Sequence, residues 1–267
     1  MSFQFAIPSA RLQPYIKQYW AFENVLARGC EHRQRIIATG LPELIFYFGN
    51  RPTSDKRTLE GNVILNVQHN DFYDLIVTDK ISLLSVTFHP HGLSQFLKIP
   101  LNELQNQSVF LEYINKELSQ ELEHKLTESE DFSERIKIIE TYFLQLLTNQ
   151  KSPDENRRMA HLVELIKSTK GIVSIDFLAS SSCLSRKQFE RKFMATIGLS
   201  PKQYLKVIRF QNALHINQTS RTGNLTELSL EAGYYDQSHF INETKELTGQ
   251  SPKKLFETDE IVSDFFQ

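Results

Sequence analysis

The octapeptide GLSPKQYL at residues 198–205 returns as GQSPKKLF at residues 249–256, with four of eight positions identical. In Gly-x-Ser-Pro, the glycine can adopt the left-handed conformation that ends a helix, the serine can cap the next helix, and the proline fits that helix's first turn. The motif therefore predicts a point where one helix stops and another starts. Its repetition predicts two copies of one helical unit, since a solenoid would need three or more.

Each copy reads as a short helix, a tight turn and a second helix. In the first copy, SIDFLASS is followed by a turn and by SRKQFERKFMATI, where Ser185 and Gln188 have the spacing of a capping box. In the second copy, NLTELSLEAG leads through YYD to QSHFINETKELTG, which Asp236 can cap. The predicted buried stripes are Phe189, Phe193 and Ile197 in the first unit, and Phe240 and Leu247 in the second.

A short helix that holds a second helix across a tight turn is the helix-turn-helix arrangement, although plain helical hairpins show the same pattern. The helix that starts at Ser200-Pro201 is predicted to run to about Gln218, roughly 27 Å. A rod of that length could hold two recognition helices about one DNA turn, or roughly 34 Å, apart.

The charge is unevenly distributed along the chain. Residues 151–257 hold 16 Lys and Arg against 11 Asp and Glu, a net of +5, and the rest of the chain has a net charge of −7. Seven basic residues lie between positions 184 and 210, with Glu190 as the one acid in that stretch. The cluster indicates a polyanionic partner for the C-terminal part, and a solvated helix face is the alternative.

Taken together, LASSSCLSRKQFERKFMATIGLSPKQYL and EAGYYDQSHFINETKELTGQSPKKLF resemble the DNA-binding domain of AraC/XylS-type transcription regulators, over about residues 158–257. The resemblance implies two helix-turn-helix units joined by a long helix, binding double-stranded DNA and acting on the transcription machinery. The base-reading positions it implies are Lys187, Glu190 and Arg191 in the first unit, and Gln237, Ser238 and Asn242 in the second. Phosphate contacts are expected from Arg186, Lys192, Lys202, Lys206 and His239, and from helix N-termini.

The chain departs from the family pattern at four positions. The usual glycine of the first turn is Cys183, and an alanine of the second unit is Ser229. Asn242 stands where an arginine is expected, and Thr244 where a second aromatic residue is expected. We therefore expect the first unit to supply most of the affinity for DNA.

The N-terminal part has a different pattern. IIATG, ELIFYFGN, NVILNVQ, DLIVTD and ISLLSVTF are short runs rich in β-branched and aromatic residues, which predict the strands of a small barrel or sandwich. From Leu93 the pattern becomes helical, and a stripe on residues 132–147 could be a dimer seam or could pack within the chain. This stripe consists of Phe132, Ile136, Ile139, Phe143, Leu146 and Leu147.

The segments PSARLQPYIKQYW, GLPELIFYFGN and SVTFHPHGLSQFLKIPLNELQN resemble the N-terminal sensor domain of one branch of AraC-type regulators. This resemblance implies a cupin-like β-barrel with flanking helices and a role in sensing or in forming a homodimer. The predicted fold is therefore α+β in two domains. The sensor domain spans residues 1–152, with a barrel to about 92 and helices over about 93–150, and the DNA-binding domain spans 153–267. The predicted linker is Lys151–Asn156.

The N-terminal part contains two candidate small-molecule sites. Aromatic residues including Trp20, Phe46 and Phe48 could line a pocket for an apolar or sugar-like effector, and core packing is the alternative. His89 and His91 resemble the start of a cupin metal motif, but no carboxylate follows, so no metal is predicted. No cofactor is predicted either.

No enzyme signature is found in the sequence, which lacks a glycine-rich phosphate loop, a nucleophile elbow and a Cys-x-x-Cys pair. The alternative from another class is a metal- or small-molecule-binding cupin enzyme whose helical domain contacts only proteins. The N-terminus lacks the basic and apolar regions of a secretory signal, and no apolar run could cross a bilayer. We therefore expect a cytoplasmic protein.

Overall fold

The computed structural model describes residues 1–148, 153–220 and 224–257. Strands come first and helices follow. The strands are β1 (Ser2–Ala6), β2 (Ile16–Val25), β3 (Glu31–Ile36), β4 (Glu43–Tyr47), β5 (Thr53–Ser54), β6 (Val63–Asn66), β7 (Tyr73–Thr78), β8 (Lys80–Phe88) and β9 (Ser108–Phe110). Two 3₁₀ turns span Leu93–Gln95 and Leu101–Leu104.

The helices are α1 (Leu111–Ile114), α2 (Lys116–Glu128), α3 (Phe132–Thr148), α4 (Pro153–Ser168), α5 (Ile175–Ser181), α6 (Arg186–Ile197), α7 (Pro201–Ser220), α8 (Leu225–Glu231), α9 (Gln237–Thr248) and α10 (Pro252–Leu255). Of the predicted linker, residues 151 and 152 lie outside the described residues, and α4 begins at Pro153. The predicted α+β class, with strands in the N-terminal part and helices in the C-terminal part, is confirmed.

The N-terminal strands form two sheets and not one closed barrel. Six strands lie in the order β1-β2-β8-β4-β6-β9 and three in the order β3-β7-β5, with every pair antiparallel. Because successive side chains of a strand point to opposite faces, Tyr19 and Ala21 of β2 are buried in the core while Trp20 between them lies on the other face.

Helix α3 covers one face of the larger sheet. Ile139 is fully buried, and Ile136 and Phe143 lie with it in a core that also contains Phe46 and Phe88. Phe132, Leu146 and Leu147 are partly buried against the same core. The apolar stripe of α3 therefore packs within its own chain, which decides against the dimer seam.

The segment IIATG is only partly a strand, contrary to the prediction. Strand β3 ends at Ile36, and the chain continues as a loop whose residues Ile37, Ala38 and Leu41 are buried. These three residues belong to the same apolar cluster as Met159, Ile166, Leu199 and Ile208 of the C-terminal helices. Their apolar character comes from contact between the two parts of the chain and not from a sheet.

Candidate nucleic-acid interface

The first helix-turn-helix unit consists of α5 and α6. Ser185 caps α6 through its side chain, and Gln188 returns the bond to the Ser185 backbone, so the predicted capping box is present. Phe189, Phe193 and Ile197 are each 0% exposed and form the face of α6 that packs on the core. The capped start and the buried stripe together leave the opposite face of α6 toward solvent.

The turn between α5 and α6 adopts a left-handed conformation without glycine. Cys183 has φ of +56°, and Gly233, at the equivalent position of the second unit, has φ of +89°. The two turns are therefore alike in backbone shape although only one of them contains glycine. Cys183 is exposed, so its side chain contributes little packing.

The solvent face of α6 carries the residues predicted to read bases. Lys187 and Arg191 are exposed and lie four residues apart, hence on one face of the helix. Glu190 is half-buried and accepts a hydrogen bond from Arg186 Nε at 3.1 Å. Arg186 also donates to Asp176 at 3.0 Å, which joins the start of α6 to α5.

The second unit consists of α8 and α9. Asp236 caps α9 by accepting a hydrogen bond from the backbone N–H of His239 at 2.7 Å. Phe240, Thr244 and Leu247 are 0% exposed and form the buried stripe of α9. Thr244 thus occupies a buried position where the family pattern has an aromatic residue. On the solvent side, Ser238 and Asn242 are exposed. Gln237 is half-buried and accepts a hydrogen bond from Thr226 at 3.0 Å.

Two acidic residues of α9 form ion pairs with the connecting helix α7. Glu243 accepts hydrogen bonds from Arg209 at 2.9 and 3.0 Å, and His239 Nε2 lies 3.1 Å from the same carboxylate. Glu246 pairs with Lys206. Sequence reasoning missed the pairs of Arg209 and Lys206 because their partners are more than 30 residues away along the chain. They fix α9 to α7 and neutralise part of its negative charge.

The residues predicted to contact phosphate differ in how free they are. Lys202 is exposed near the start of α7. Lys192 forms an ion pair with Glu155 at 2.5 Å, and the side chain of Lys206 is only 16% exposed beside Glu246. Arg186 is held by two carboxylates, and His239 by one. Of these five, Lys202 is the one for which no ion pair is found among the described residues.

The aromatic residues predicted to form an effector pocket lie in three environments. Trp20 is half-buried, stacks on Phe3 and donates hydrogen bonds to Glu43 at 3.3 Å and Thr87 at 3.2 Å. Phe46 is 2% exposed in the core. Phe48 lies under the guanidinium of Arg135, at 3.8 Å from the ring centre.

A cavity of about 290 Å³ lies elsewhere in the N-terminal part, between the larger sheet, α3 and the chain from Leu93 to Ile99. The lining is mainly apolar. It consists of Leu44, Leu65, Phe88, Leu93, Phe96, Leu97, Lys98, Ile99, Leu111, Ile114, Asn115, Tyr142, Phe143 and Leu146. Sequence reasoning missed this cavity because its walls come from segments far apart in the chain.

His89 and His91 have stacked rings, 6.0 Å apart at their centres. His91 Nε2 lies 3.1 Å from the backbone carbonyl of Pro14, and burial lowers the pKa of His91 to about 4. Among the described residues, no group of three or more His, Cys, Asp or Glu is arranged to hold a metal ion. The described helices include none that is long and apolar enough to span a bilayer.

Comparisons with known proteins agree with this geometry. Residues 178–258 match the family model described as a helix-turn-helix domain, and residues 4–110 match a domain of unknown function (DUF6597). The HTH-type transcriptional activator RhaS of Escherichia fergusonii is 24% identical over 216 residues, which cover 74% of this chain and 77% of RhaS. The HTH-type transcriptional regulator MtrA of Neisseria gonorrhoeae is 30% identical over 88 residues, 32% of this chain and 29% of MtrA.

Among solved structures, ToxT from Vibrio cholerae matches 90% of this chain and 98% of its own, with 11% identity and a TM-score of 0.48. Sequence relatives and the family model therefore carry the assignment. Two capped helix-turn-helix units joined by one helix agree with these matches. The C-terminal helices therefore form a helix-turn-helix domain of the AraC type, and the chain is similar to the transcriptional activator RhaS over 74% of its length.

Proposed function

We propose that α6 enters the major groove of DNA and that Lys187 and Arg191 read its bases. The observation that carries this proposal is their shared exposed face, opposite a fully buried stripe, on a helix whose N-terminus is fixed by a capping box. Arginine or lysine facing guanine is the commonest specific contact in that groove. In α9, Ser238 and Asn242 are exposed and take the equivalent role, with Gln237 at the start of the helix.

Contacts to phosphate come from Lys202 and from helix N-termini in this proposal. Lys192 and Lys206 already have carboxylate partners, so a phosphate would have to replace Glu155 or Glu246. Their contribution to affinity is therefore expected to be smaller than that of Lys202. Because the partner is chromosomal DNA, we expect the protein to act in the cytoplasm.

Arg191→Ala tests base reading. We expect the variant to lose about 1–3 kcal/mol on the specific site and much less on random DNA, because a base contact is made only with the correct sequence. The matched control is Lys202→Ala, which should weaken both complexes similarly and reduce their salt dependence. The measurement is a binding titration on a site obtained by selection from genomic DNA. Equal losses on both DNAs for Arg191→Ala would contradict its role in base reading.

We also propose that the N-terminal cavity binds a small apolar effector. Its volume of about 290 Å³ and its mainly apolar lining support this proposal. The lining includes residues of α3 and of the segment from Leu93 to Ile99. A thermal-shift screen of apolar metabolites would test it, with Ile114→Trp as the variant that fills the cavity. A ligand that stabilises Ile114→Trp as well as the wild type binds elsewhere.

Strand β1 supports a proposal of self-association. It is an edge strand of the larger sheet, and its residues Phe3 and Phe5, with Ile7 directly after it, are 53–68% exposed. An exposed apolar edge strand is a template for pairing with a second chain. Light scattering should show a dimer for the wild type and a monomer for Phe5→Lys, and an unchanged mass would contradict pairing through β1. Contact with the transcription machinery stays a prediction.

A further inference from the structure

The glycines that end the two recognition helices both touch the N-terminal part of the chain. Gly198, after α6, lies so close to Gln68 and Leu101 that a Cβ added to it would be 3.4 Å from the Cβ of each. Gly249, after α9, lies against the ring of Phe72, which an added Cβ would overlap. Gln68 and Phe72 belong to one short segment, residues 68–74, which leads into and begins β7. The same N-terminal segment therefore contacts the ends of both recognition helices.

Arg35 adds a directed bond to the end of α9. Its guanidinium holds Asp74 through two nitrogens at 2.8 and 3.0 Å, and its third nitrogen donates to the carbonyl of Thr248 at 3.1 Å. Thr248 is the last residue of α9, where a helix leaves carbonyls without a partner and where its dipole favours a positive charge. Arg35 thus binds the C-terminal end of α9, where a backbone carbonyl is left without a partner inside the helix.

Phe72 is itself held in place by two cations. The guanidinium carbon of Arg35 lies 5.0 Å from the centre of the ring, and Lys56 Nζ lies 3.5 Å from it. Lys56 also donates a hydrogen bond to the Phe72 carbonyl at 2.9 Å. The ring that meets Gly249 is therefore held by neighbours in the N-terminal part as well as by the apolar cluster of the C-terminal helices.

The connecting helix α7 is fixed to the N-terminal part as well. Gln211, which is fully buried, donates a hydrogen bond to the backbone carbonyl of Ala38 at 2.8 Å. Ile37 and Ala38 share an apolar cluster with Leu199, just before α7, and with Ile208 within it. The connecting helix α7 and the ends of both recognition helices, α6 and α9, thus contact the N-terminal part.

We propose that these N-terminal contacts form a brace that sets the distance and angle between α6 and α9, and that Arg35 and Phe72 are positioning residues for α9. The term brace refers to Arg35, residues 68–74 and Leu101. The brace would make the protein sensitive to the spacing between two half-sites on DNA. That consequence rests on the base reading proposed above, whereas the fixed separation of the helices does not.

A distance measurement without DNA tests the brace directly. Spin labels are placed on the native Cys183, next to α6, and on Lys245→Cys, which is exposed on α9, in a Cys30→Ser background. We expect one narrow distance distribution for the braced protein and a broader or shifted one for Arg35→Ala. The matched control is Arg33→Ala, because Arg33 lies on the same strand and pairs with Asp74 at 3.5 Å but is 62% exposed. It should leave the distribution unchanged.

A second variant tests the brace in case Arg35→Ala does not fold. Phe72→Leu keeps an apolar side chain and removes the ring that meets Gly249, and melting curves show whether each variant is folded. Broadening in folded Arg35→Ala or Phe72→Leu supports the brace. Unchanged distributions in both variants, or equal broadening in Arg33→Ala, would overturn it.

DNA provides a readout that a general loss of stability would not change. Affinity is compared between the selected site and a copy with one base pair inserted between its half-sites. We expect the wild type to discriminate between the two, and Arg35→Ala to discriminate about tenfold less, the effect of losing one hydrogen bond from a charged group. Unchanged discrimination in Arg35→Ala would overturn the positioning role of Arg35. If the wild type shows no base-specific binding, base reading fails, while the spin-label distances still decide on the brace.

Discussion

At the scale of single residues, Cys183 introduces backbone strain into the turn of the first unit. A residue with a Cβ at φ of +56° is crowded against its own carbonyl, which glycine avoids. We expect Cys183→Gly to be more stable to unfolding by urea than Cys183→Ala by about 1 kcal/mol. Both variants remove the same exposed thiol, so their difference isolates the backbone. Equal stabilities would show that this turn carries no strain.

His91 makes the stability of the N-terminal part depend on pH. Burial lowers its pKa from 6.5 to about 4 in the folded protein, so the unfolded chain binds a proton more readily between these values. The contribution of His91 to the free energy of unfolding is therefore fully present above pH 6.5. It is lost as the pH drops toward 4, and no more of it is lost below that value. The expected loss is about 3 kcal/mol.

The check is the free energy of unfolding of wild type and His91→Gln between pH 4 and 7. Burial also lowers the pKa of the neighbouring His89, so the variant should keep part of the slope. The slope of His91→Gln should nevertheless be clearly smaller. Identical pH profiles would assign the dependence to other groups.

At the scale of elements, the ion pair of Glu243 with Arg209 is the more buried of the two that join α7 to α9. Glu243 and Arg209 are 15% and 18% exposed, so Glu243→Gln leaves a largely buried cation without its partner. We expect unfolding to become easier by about 2 kcal/mol. Glu121→Gln is the control, because Glu121 and its partner Lys125 are 63% and 55% exposed and their pair should contribute less than about 0.5 kcal/mol. Urea titrations of both variants make the comparison, and similar losses would contradict the distinction.

The elements that could be predicted from sequence are those that short-range chemistry defines. The capping box at Ser185, the cap at Asp236 and the glycines that end α6 and α9 depend on residues within one or two turns, and all are present. One detail of the repeated motif differs: Ser200 exchanges hydrogen bonds with Gln203, as a capping box does, whereas the side chain of Ser251 makes no capping bond. Lysine occupies the position of Gln203 in the second copy, so no side chain there can return the bond.

What could not be predicted depends on contacts between distant segments. The composition of the residues after Ile36 predicts a strand because burial against another part of the chain selects the same apolar residues as burial in a sheet. The ion pair of Lys206 could not be predicted for the same reason. Lys206 is predicted to contact phosphate, whereas in the structure it pairs with Glu246 of another helix.

At the scale of the whole molecule, the shared apolar cluster predicts that both parts unfold together. Trp20 is the only tryptophan and reports on the sheets, while far-UV ellipticity reports mainly on the helices. We expect the two signals to change at the same urea concentration. Ile37→Asp places a charge in the shared cluster and should separate the transitions. Val25→Asp is the control, since Val25 is 75% exposed. Separate transitions in the wild type would show that the parts unfold independently.

Contact between both helix-ending glycines and one upstream segment limits how this chain can be recombined with its relatives. An exchange confined to the first two turns of α6 or α9 would alter the side chains proposed to face the groove and leave the contacts of Gly198 and Gly249 unchanged. A chimaera that imports the complete C-terminal part would bring helix ends shaped for some other neighbour of Gln68 and Phe72. Transplanted specificity should therefore survive the smaller graft and be lost in the larger one.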